Sequence, residues 1–553
     1  MSMHAHPLEE IPELTARIAR TSFPKGTIAM MLRDALEGVY NDEAFEKLYP
    51  RRGREALAPW RLALVMVLQT IENLSDAQAA EMVRGRLDWK YALSLPLDDI
   101  GFDASILTDF RQRLVDQKAQ ELLLDPILLL CVERGWVQQK GKQRIDSTLV
   151  LSCARRLSSL ESVGETLRNA LNALAEEEPD WLVSIIRADW FDRYVHRFEL
   201  QRFPKGKEAQ KELIQAVGED SWKLLQAATS STAPTGVQEM EEVLLLKRVW
   251  DQHYEQREGK INWRDGPAVR NTDRVVSPSD EEARESSKRD TTWLGYKVHV
   301  IETCNETEKI HLITHVATTA STSQDVEHTE DILEAVSKKG FEPEVSLMDT
   351  GYVSGPLLAR QREKGREIVG PIPPDTSMQK KTGYDLTAFE LDWEKREAIC
   401  PQGHTSRRWN AKKGNRSEDA FHVFFAPVHC QVCPVKTVCT KSEKGGRTLT
   451  LYPQDIYEAM DERRAEQSGE AFQKRYAARS GIEGTLSEGV RAHGMRRSRY
   501  QGMEKTHLQM VSIAVAINVV RIHQMLEREK MGLPPRRVRK RSSFARLQDR
   551  VAA

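Results

Sequence analysis

The stretch Lys142-Gln143-Arg144-Ile145-Asp146-Ser147-Thr148-Leu149-Val150 decides the fold, because it ends a long helical pattern and replaces it with alternating, β-branched residues. Such alternation favours a strand. The preceding residues 25–135 carry apolar side chains at helical spacing. We therefore predict an all-helical N-terminal domain over residues 1–135. A second domain begins with this strand, and its first segment is residues 136–155.

Strand-like and helical segments alternate after residue 290. The strand-like runs cover residues 296–303, 310–318, 344–348 and 367–371, and the helical runs cover 325–338 and 355–364. With the first strand, the order is strand, helical insert, strand, strand, helix, strand, helix, strand. This order suits a mixed sheet with helices on its faces. We predict an α/β fold whose core comprises residues 136–155, 291–372 and 456–530.

The remaining segments are predicted to be two insertions and a tail. Residues 156–290 read as a mainly helical insertion followed by a polar linker, and residues 373–455 read as an irregular, Cys-rich insertion. The tail, residues 531–553, contains the basic run Arg536-Arg537-Val538-Arg539-Lys540-Arg541. The sheet-based core is thus expected to be interrupted twice.

Composition and charge argue against a membrane protein but do not indicate a binding partner. The 553 residues include 81 Lys and Arg against 82 Asp and Glu, a formal net charge of −1, so a nucleic-acid partner must be read from local basic patches. The longest plain apolar run, Leu62 to Leu68, is far shorter than the roughly 18 residues that a membrane-spanning helix needs. The N-terminus lacks the basic start and apolar stretch of a signal peptide. We expect a cytoplasmic protein with no membrane partner.

Four of the seven cysteines crowd into one segment: Cys400, Cys430, Cys433 and Cys439. Four thiolates are enough for a tetrahedral zinc site, with His404 and His429 as substitutes. The spacing is also compatible with an iron–sulfur cluster, and reduced thiols without a metal are the third interpretation. We predict zinc, because an irregular segment with few apolar residues needs a bound metal ion or a similar cross-link to stay ordered.

Two Asp residues have similar surroundings. Asp146 interrupts or ends its strand, and Asp349 directly follows the apolar run Val345-Ser346-Leu347-Met348. Carboxylates at the ends of neighbouring strands can share divalent cations through their oxygen atoms. Alternatively, each Asp caps the turn that follows it, which is Thr350-Gly351-Tyr352 for Asp349. Spacing alone does not decide between these two roles.

A third feature combines Tyr476, Arg479 and Glu483. On a continuous helix these residues lie within about 60° of one another, so one face would present a carboxylate flanked by donors. The alternative is a solvated helix face on which Arg479 and Glu483 pair four residues apart. Ser480-Gly481 also favours a break in this helix.

Together these segments resemble a transposase of bacterial insertion sequences, of the type named after its Asp-Asp-Glu (DDE) triad. The matching segments span most of the chain: Trp60 to Leu114, Arg144 to Thr148, Trp293 to Lys297, Met348 to Tyr352 and Tyr476 to Glu483. The resemblance implies a ribonuclease-H-like core. We also expect the N-terminal helical domain to recognise DNA ends.

The resemblance also implies the catalytic roles. Asp146, Asp349 and Glu483 would be the ligands of Mg²⁺ or Mn²⁺, and two such ions suit phosphodiester hydrolysis and transesterification. Glu488 competes with Glu483 for the third position. It lies about 140° from Glu483 around a helix, so the two cannot face one metal pair. The Tyr-Arg-Glu spacing favours Glu483.

The final motif of this family continues to a Lys, and Val490 occupies that position here. Arg491, one residue later, is predicted to make the phosphate contact instead. Basic residues also cluster from Arg491 to Lys505. The predicted DNA-binding residues are Tyr476, Arg479, Arg491, Arg496 and Arg497.

Three functions follow from these features. The main hypothesis is a DNA transposase that binds the terminal inverted repeats of its element as a homodimer, cuts at the ends and joins them to double-stranded target DNA. A metal-dependent DNA nuclease would use the same metal chemistry. A catalytically silent DNA-binding protein would keep the fold alone, and the presence of all three acidic residues counts against it.

Overall fold

In the computed structural model, which describes residues 2–266, 268–288, 290–413 and 419–534, the strand predicted around Asp146 is present. This strand, β1, spans Lys140–Leu151. Of the two predicted possibilities, that Asp146 interrupts or ends its strand, the second is wrong, because Asp146 lies inside β1. Its neighbour β7 (Glu342–Leu347) does stop at this level, so the carboxylate of Asp146 still reaches the end of the sheet.

The N-terminal part of the chain is helical. Its helices are α1 (Glu13–Ser22), α2 (Ile28–Ala35), α3 (Asp42–Phe45), α4 (Pro59–Glu72), α5 (Asp76–Gly85), α6 (Leu87–Ala92), α7 (Ser105–Asp116) and α8 (Asp125–Glu133). Pro59 occupies the first turn of α4, where its missing N–H costs nothing. Ser75 and Gln78 form a reciprocal capping box that starts α5. Local sequence signals thus fix where these helices begin.

The segment after β1 is also mainly helical. It contains α9 (Ser159–Glu177), α10 (Pro179–Ile185), α11 (Ala188–Tyr194), α12 (Lys207–Ala228), α13 (Glu241–His253) and the hairpin of β2 (Tyr254–Arg257) and β3 (Lys260–Trp263). It has a hydrophobic core of its own, which includes Trp190 and Trp250. Asp220 is buried there and accepts hydrogen bonds from Trp190 and Tyr194.

The main sheet confirms the predicted mixed α/β fold. Its strands after β1 are β4 (Arg284–Lys288), β5 (Thr291–Thr303), β6 (Ile313–Ala320), β7 and β8 (Glu367–Val369). The strand order is β6-β5-β1-β7-β8, with β4 also paired to β5. The first pairings are antiparallel, whereas β1, β7 and β8 run parallel. Two helices, α14 (Asp325–Lys338) and α15 (Gly355–Glu363), connect the parallel strands.

Strand β4 lies within residues that were predicted to be a polar linker. It pairs with β5 from Arg284 opposite Gly295 to Lys288 opposite Thr291. Its side chains are mostly polar and partly exposed, so the sequence carries no apolar alternation to reveal it. The sheet therefore begins before the predicted boundary at residue 291.

The prediction that residues 373–455 are irregular is wrong. The segment contains α16 (Met378–Thr382), β9 (Glu390–Asp392), β10 (Glu397–Ile399), β11 (Arg408–Lys413), β12 (Asp419–Phe424), α17 (Pro427–Gln431), α18 (Lys436–Cys439) and β13 (Thr448–Leu451). The strands form two small antiparallel sheets. They enclose a small core that includes Phe389, Val423 and Leu449. Strands this short leave too few apolar positions for a periodic signal.

Helices close the described chain. These are α19 (Gln454–Glu466), α20 (Glu470–Tyr476), α21 (Gly481–His493) and α22 (Met503–Lys530). By length and composition α22 could cross a membrane, but 72% of its most apolar 18-residue stretch is buried inside the protein. It packs between β6 and the N-terminal helices α4 and α7. The predicted basic run Arg536 to Arg541 lies outside the described residues.

Candidate active site

Asp146 and Asp349 lie side by side at the end of the sheet. The parallel register of β1 and β7 sets Arg144 opposite Leu347, so Asp349, two residues beyond β7, is level with Asp146. Both carboxylates are half-buried. Burial raises the pKa of Asp349, and the negative charge of Asp146 raises it further. Two repelling carboxylates have the donor chemistry and the unbalanced charge that suit a divalent cation.

Asp349 also caps the turn that follows it, as the alternative interpretation predicted, whereas Asp146 lies within β1 and caps no turn. Asp349 Oδ1 accepts a hydrogen bond of 2.8 Å from the Gly351 N–H, and Asp146 Oδ1 accepts one of 2.8 Å from Ser147. Each of these two bonds uses only one carboxylate oxygen. The other oxygen of Asp349 makes no hydrogen bond to a described residue, so capping and metal binding are compatible.

Tyr476, Arg479 and Glu483 do not share one α-helix. Helix α20 ends at Tyr476, a 3₁₀ turn spans Ala477–Ser480, and α21 begins at Gly481. The break that Ser480-Gly481 suggested is therefore present. It points the Arg479 side chain towards β1, where its Nη1 donates to Asp146 Oδ2 at 2.8 Å.

Arg479 connects the first carboxylate with the third. Its Nη2 lies 3.8 Å from Glu483 Oε1, and its guanidinium lies 5.9 Å from the centre of the Tyr476 ring. The Glu483 side chain is 67% exposed, so its carboxylate is accessible to solvent and to a large ligand. The predicted residues thus come together around one guanidinium.

The described part of the chain has no group of three or more His, Cys, Asp or Glu side chains arranged to hold a metal ion. The donor set of Asp146, Asp349 and Glu483 nevertheless fits Mg²⁺, because it offers only carboxylate oxygens, which this ion prefers. In this arrangement Arg479 supplies the positive charge beside Asp146.

A fourth carboxylate, Asp325, lies at the same site and was missed in the sequence. It begins α14, pairs with Lys297 of β5 at 2.9 Å, and its Oδ2 lies 3.4 Å from Ser147 Oγ. Its negative charge also contributes to the raised pKa of Asp349. The only sequence signal was its place at the start of a predicted helix, where an acidic residue ordinarily favours the helix N-terminus.

Glu488 is engaged elsewhere. Its carboxylate accepts a 2.8 Å hydrogen bond from Arg521 of α22, and its side chain is 32% exposed, against 67% for Glu483. Arg521 also contacts the buried Glu302. Glu488 therefore belongs to an ion-pair network between α21, α22 and the sheet.

The predicted DNA-binding cations differ in their surroundings. Arg491 is exposed in the last turn of α21, while Val490 packs against the main core. Arg496 donates through Nε to Thr148 Oγ1 at 2.9 Å, and the backbone of Arg496 and Arg497 lies along the end of β1. Thr148 is two residues from Asp146 on the same strand, so both side chains lie on one face of the sheet. Arg496 is thus placed on the face of the predicted active site.

The four cysteines of the predicted zinc site line one cavity together with His404 and His429. The two imidazole rings stack with their centres 4.5 Å apart. Burial raises the pKa of Cys439, and the nearby thiols of Cys430, Cys433 and Cys400 raise it further. The fold thus gathers cysteines that are up to 39 positions apart, although their described side chains are not closed around a metal position.

Two protein-family models match separate parts of the chain. A model described as a transposase domain (DUF772) matches residues 19–113, and a model described as a transposase DDE domain matches residues 399–523. These matches support a transposase function. Together they support, more specifically, an insertion-sequence transposase of the DDE type, a family that implies DNA substrates and the general use of divalent metals.

The matched ranges include only some residues of the candidate active site. Arg479, Glu483 and the four clustered cysteines lie within the DDE match, whereas Asp146 and Asp349 lie outside both matches. No curated protein matches the chain. The roles of Asp146 and Asp349 are therefore inferred from their position at the end of the sheet and not from the family matches.

Proposed function

We propose that this protein is a Mg²⁺-dependent DNA transposase that binds the terminal inverted repeats of an insertion sequence, cleaves at its ends and transfers the cut strands to target DNA. The observation that carries the proposal is the juxtaposition of Asp146 and Asp349 across the parallel β1–β7 pair, with Arg479 linking Asp146 to Glu483. The strand order β6-β5-β1-β7-β8 supports a ribonuclease-H-like core.

Asp146, Asp349 and Glu483 would hold the metal ions, and Mn²⁺ would substitute for Mg²⁺. When bound, the ions activate the attacking oxygen and stabilise the leaving oxygen. Asp146 and Asp349 are fixed by the sheet, while the exposed Glu483 approaches from a helix. Arg479 carries a planar guanidinium whose Nη1 donates to Asp146, and its remaining N–H donors would suit a phosphate oxygen of DNA. Tyr476 packs beside this guanidinium and supports its orientation.

The DNA backbone would cross the face of the sheet that carries Asp146 and Arg496. Arg491 and Arg497 are exposed on the same part of the chain and would add phosphate contacts that carry little sequence information. The N-terminal helices would recognise the inverted repeats. We further propose that the protein acts in the cytoplasm as a homodimer on DNA.

The Cys-rich segment would bind one structural Zn²⁺ through Cys400, Cys430, Cys433 and Cys439. The shared cavity and the electrostatic coupling of the thiols support this proposal. Thiolate ligands at zinc contribute directly to folding stability. In a segment with so small a hydrophobic core, such a contribution would be a large fraction of the local stability.

Incubation of the protein with Mg²⁺ and DNA that carries the ends of its element tests this function. Joined end–target products are expected, and they require Asp146 and Asp349. Nicked products without joining would favour the metal-dependent nuclease. Binding without cleavage, unchanged by Asp349→Asn, would contradict the catalytic proposal and favour a silent DNA-binding protein.

A further inference from the structure

Glu302 is a fully buried carboxylate on β5, directly opposite Arg144 of β1. Its Oε1 accepts a hydrogen bond of 2.6 Å from Arg144. Its Oε2 accepts bonds of 2.6 Å from Thr485 and 3.0 Å from Arg521. Burial alone would raise the pKa of Glu302, but the charges of Arg521 and Arg144 lower it overall. One charged group therefore joins β1, α21 and α22 inside the protein.

Arg144 extends this connection to the turn before α21. Its Nη1 donates to the Ala478 carbonyl at 3.0 Å, and a Cβ at Gly481 would overlap its guanidinium. Glycine at position 481 thus allows the start of α21 to approach β1 closely. Ala478 and Gly481 flank Arg479, so this contact fixes the turn that presents Arg479 to Asp146.

Thr485 fixes the rotation of α21. Its side chain is 2% exposed and lies two residues after Glu483, which places the two about 160° apart around the helix. When the Thr485 hydroxyl is held by Glu302 inside the protein, Glu483 must face outwards. The contact therefore determines where the third carboxylate points.

We propose that Glu302 is a positioning residue of the active site, which acts through Arg144 and Thr485 to hold Glu483 in a fixed place relative to Asp146. This inference rests on the proposed function for its effect on catalysis. Its geometric part, the anchoring of the turn and of α21, is independent of that function. Comparable groups that orient metal ligands from behind typically change metal affinity or activity by about 10- to 100-fold.

Thr485→Val tests the proposal, because it keeps the side-chain volume and removes the hydroxyl. We expect end binding and cooperative unfolding to persist, while the Mn²⁺ concentration for half-maximal cleavage rises by about tenfold. Hydrogen exchange should accelerate in residues 478–489, which form the turn and the start of α21, and not in the strands of the main sheet. Thr485→Ser, which restores the hydroxyl, should recover both properties, and Ser487→Ala on the same helix serves as the matched control.

Wild-type exchange and metal dependence in Thr485→Val would overturn the proposal, as would equal defects in Thr485→Val and Thr485→Ser. If Thr485→Val does not fold, Arg144→Lys gives a second test. Lysine keeps the positive charge beside Glu302 but cannot also donate to the Ala478 carbonyl. Hydrogen exchange in residues 478–489 should therefore accelerate, and unchanged exchange would overturn the proposal. Failure of the wild-type protein to cleave DNA would instead contradict the proposed function, and the exchange measurement would still test the anchoring.

Discussion

Arg479 donates a 2.8 Å hydrogen bond to Asp146, although 333 positions separate the two residues in the chain. This contact neutralises one carboxylate of the site, whereas Asp349 faces the negative charges of Asp146 and Asp325. The two Asp residues should therefore make opposite contributions to stability while they share one catalytic role.

Asp349→Asn should raise the free energy of unfolding at pH 7 by about 1 kcal/mol, because it removes a carboxylate whose ionised form is disfavoured by the fold. Asp146→Asn should lower it by about 1 kcal/mol, because it weakens the ion pair with Arg479. Both variants should lose cleavage and retain end binding. Urea unfolding and a cleavage assay check this, and equal stability changes of the same sign would contradict the electrostatic account.

Stability at acid pH should depend on Glu121, which lies in a 3₁₀ turn between α7 and α8. Burial alone would raise its pKa, but His315 and Lys339 lower the pKa of Glu121 to about 2. A carboxyl group whose pKa is lower in the folded state than in the unfolded state stabilises the folded state at pH values above its unfolded-state pKa of about 4.3. This stabilisation is lost as the pH falls towards 2.

Glu121→Gln should therefore cost about 1 to 3 kcal/mol at pH 7, and the difference from wild type should shrink between about pH 4 and pH 2. Denaturant unfolding at several pH values measures this difference. Glu133→Gln, at an exposed position nearby, should change little. A difference that stays constant with pH would show that the ion pairs of Glu121 do not control stability.

Purified protein should carry about one zinc ion per chain. Cys430→Ser combined with Cys433→Ser should remove the ion and destabilise residues 400–440, because two of the four thiolates are lost. The matched control is Cys153→Ser, since Cys153 is exposed and far from the cluster in sequence. Elemental analysis checks the metal. A metal-free, folded and active preparation would contradict the zinc site, and bound iron would replace it with a cluster.

Arg496 and Arg491 should differ in their effect on cleavage. Arg496→Ala should lower the slope of log affinity against log salt by about one and reduce cleavage strongly, because Arg496 lies on the face that carries Asp146. Arg491→Ala should lower the slope by a similar amount with a smaller loss of cleavage. Salt titrations of end binding and cleavage rates test both. Unchanged slopes for both variants would identify these side chains as solvated surface charges.

The sequence predicted those elements whose apolar pattern is strong. Helix α14 has the predicted bounds, Asp325 to Lys338, because its apolar residues recur at helical spacing and face the sheet. Strand β4 and the short strands of the Cys-rich segment escaped prediction. Their side chains are polar or too few to form a period, so pairing with strands that are close in the chain leaves no apolar signal.

The candidate site was predictable only in part. Asp146, Asp349 and Glu483 carry recognisable local patterns. The fold places Asp349 level with Asp146 and links Asp146 to Glu483 through Arg479. Asp325 and Glu302 carry no such pattern. Glu302 lies opposite Arg144 only through the β1–β5 register. Asp325 reaches the site only because the start of α14 packs beside Lys297 and Ser147. Contacts of this kind depend on tertiary structure and leave no signature in the spacing of residues along the chain.

The central claim is that Glu483, and not Glu488, completes the carboxylate set with Asp146 and Asp349. The most direct test compares metal-dependent cleavage of end-containing DNA by Glu483→Gln and Glu488→Gln. We expect Glu483→Gln to lose cleavage by at least about 10³-fold with end binding retained, since it removes a metal ligand. Glu488→Gln should keep at least about a third of the wild-type rate, because it weakens only one ion pair. An active Glu483→Gln together with an inactive Glu488→Gln would contradict the claim.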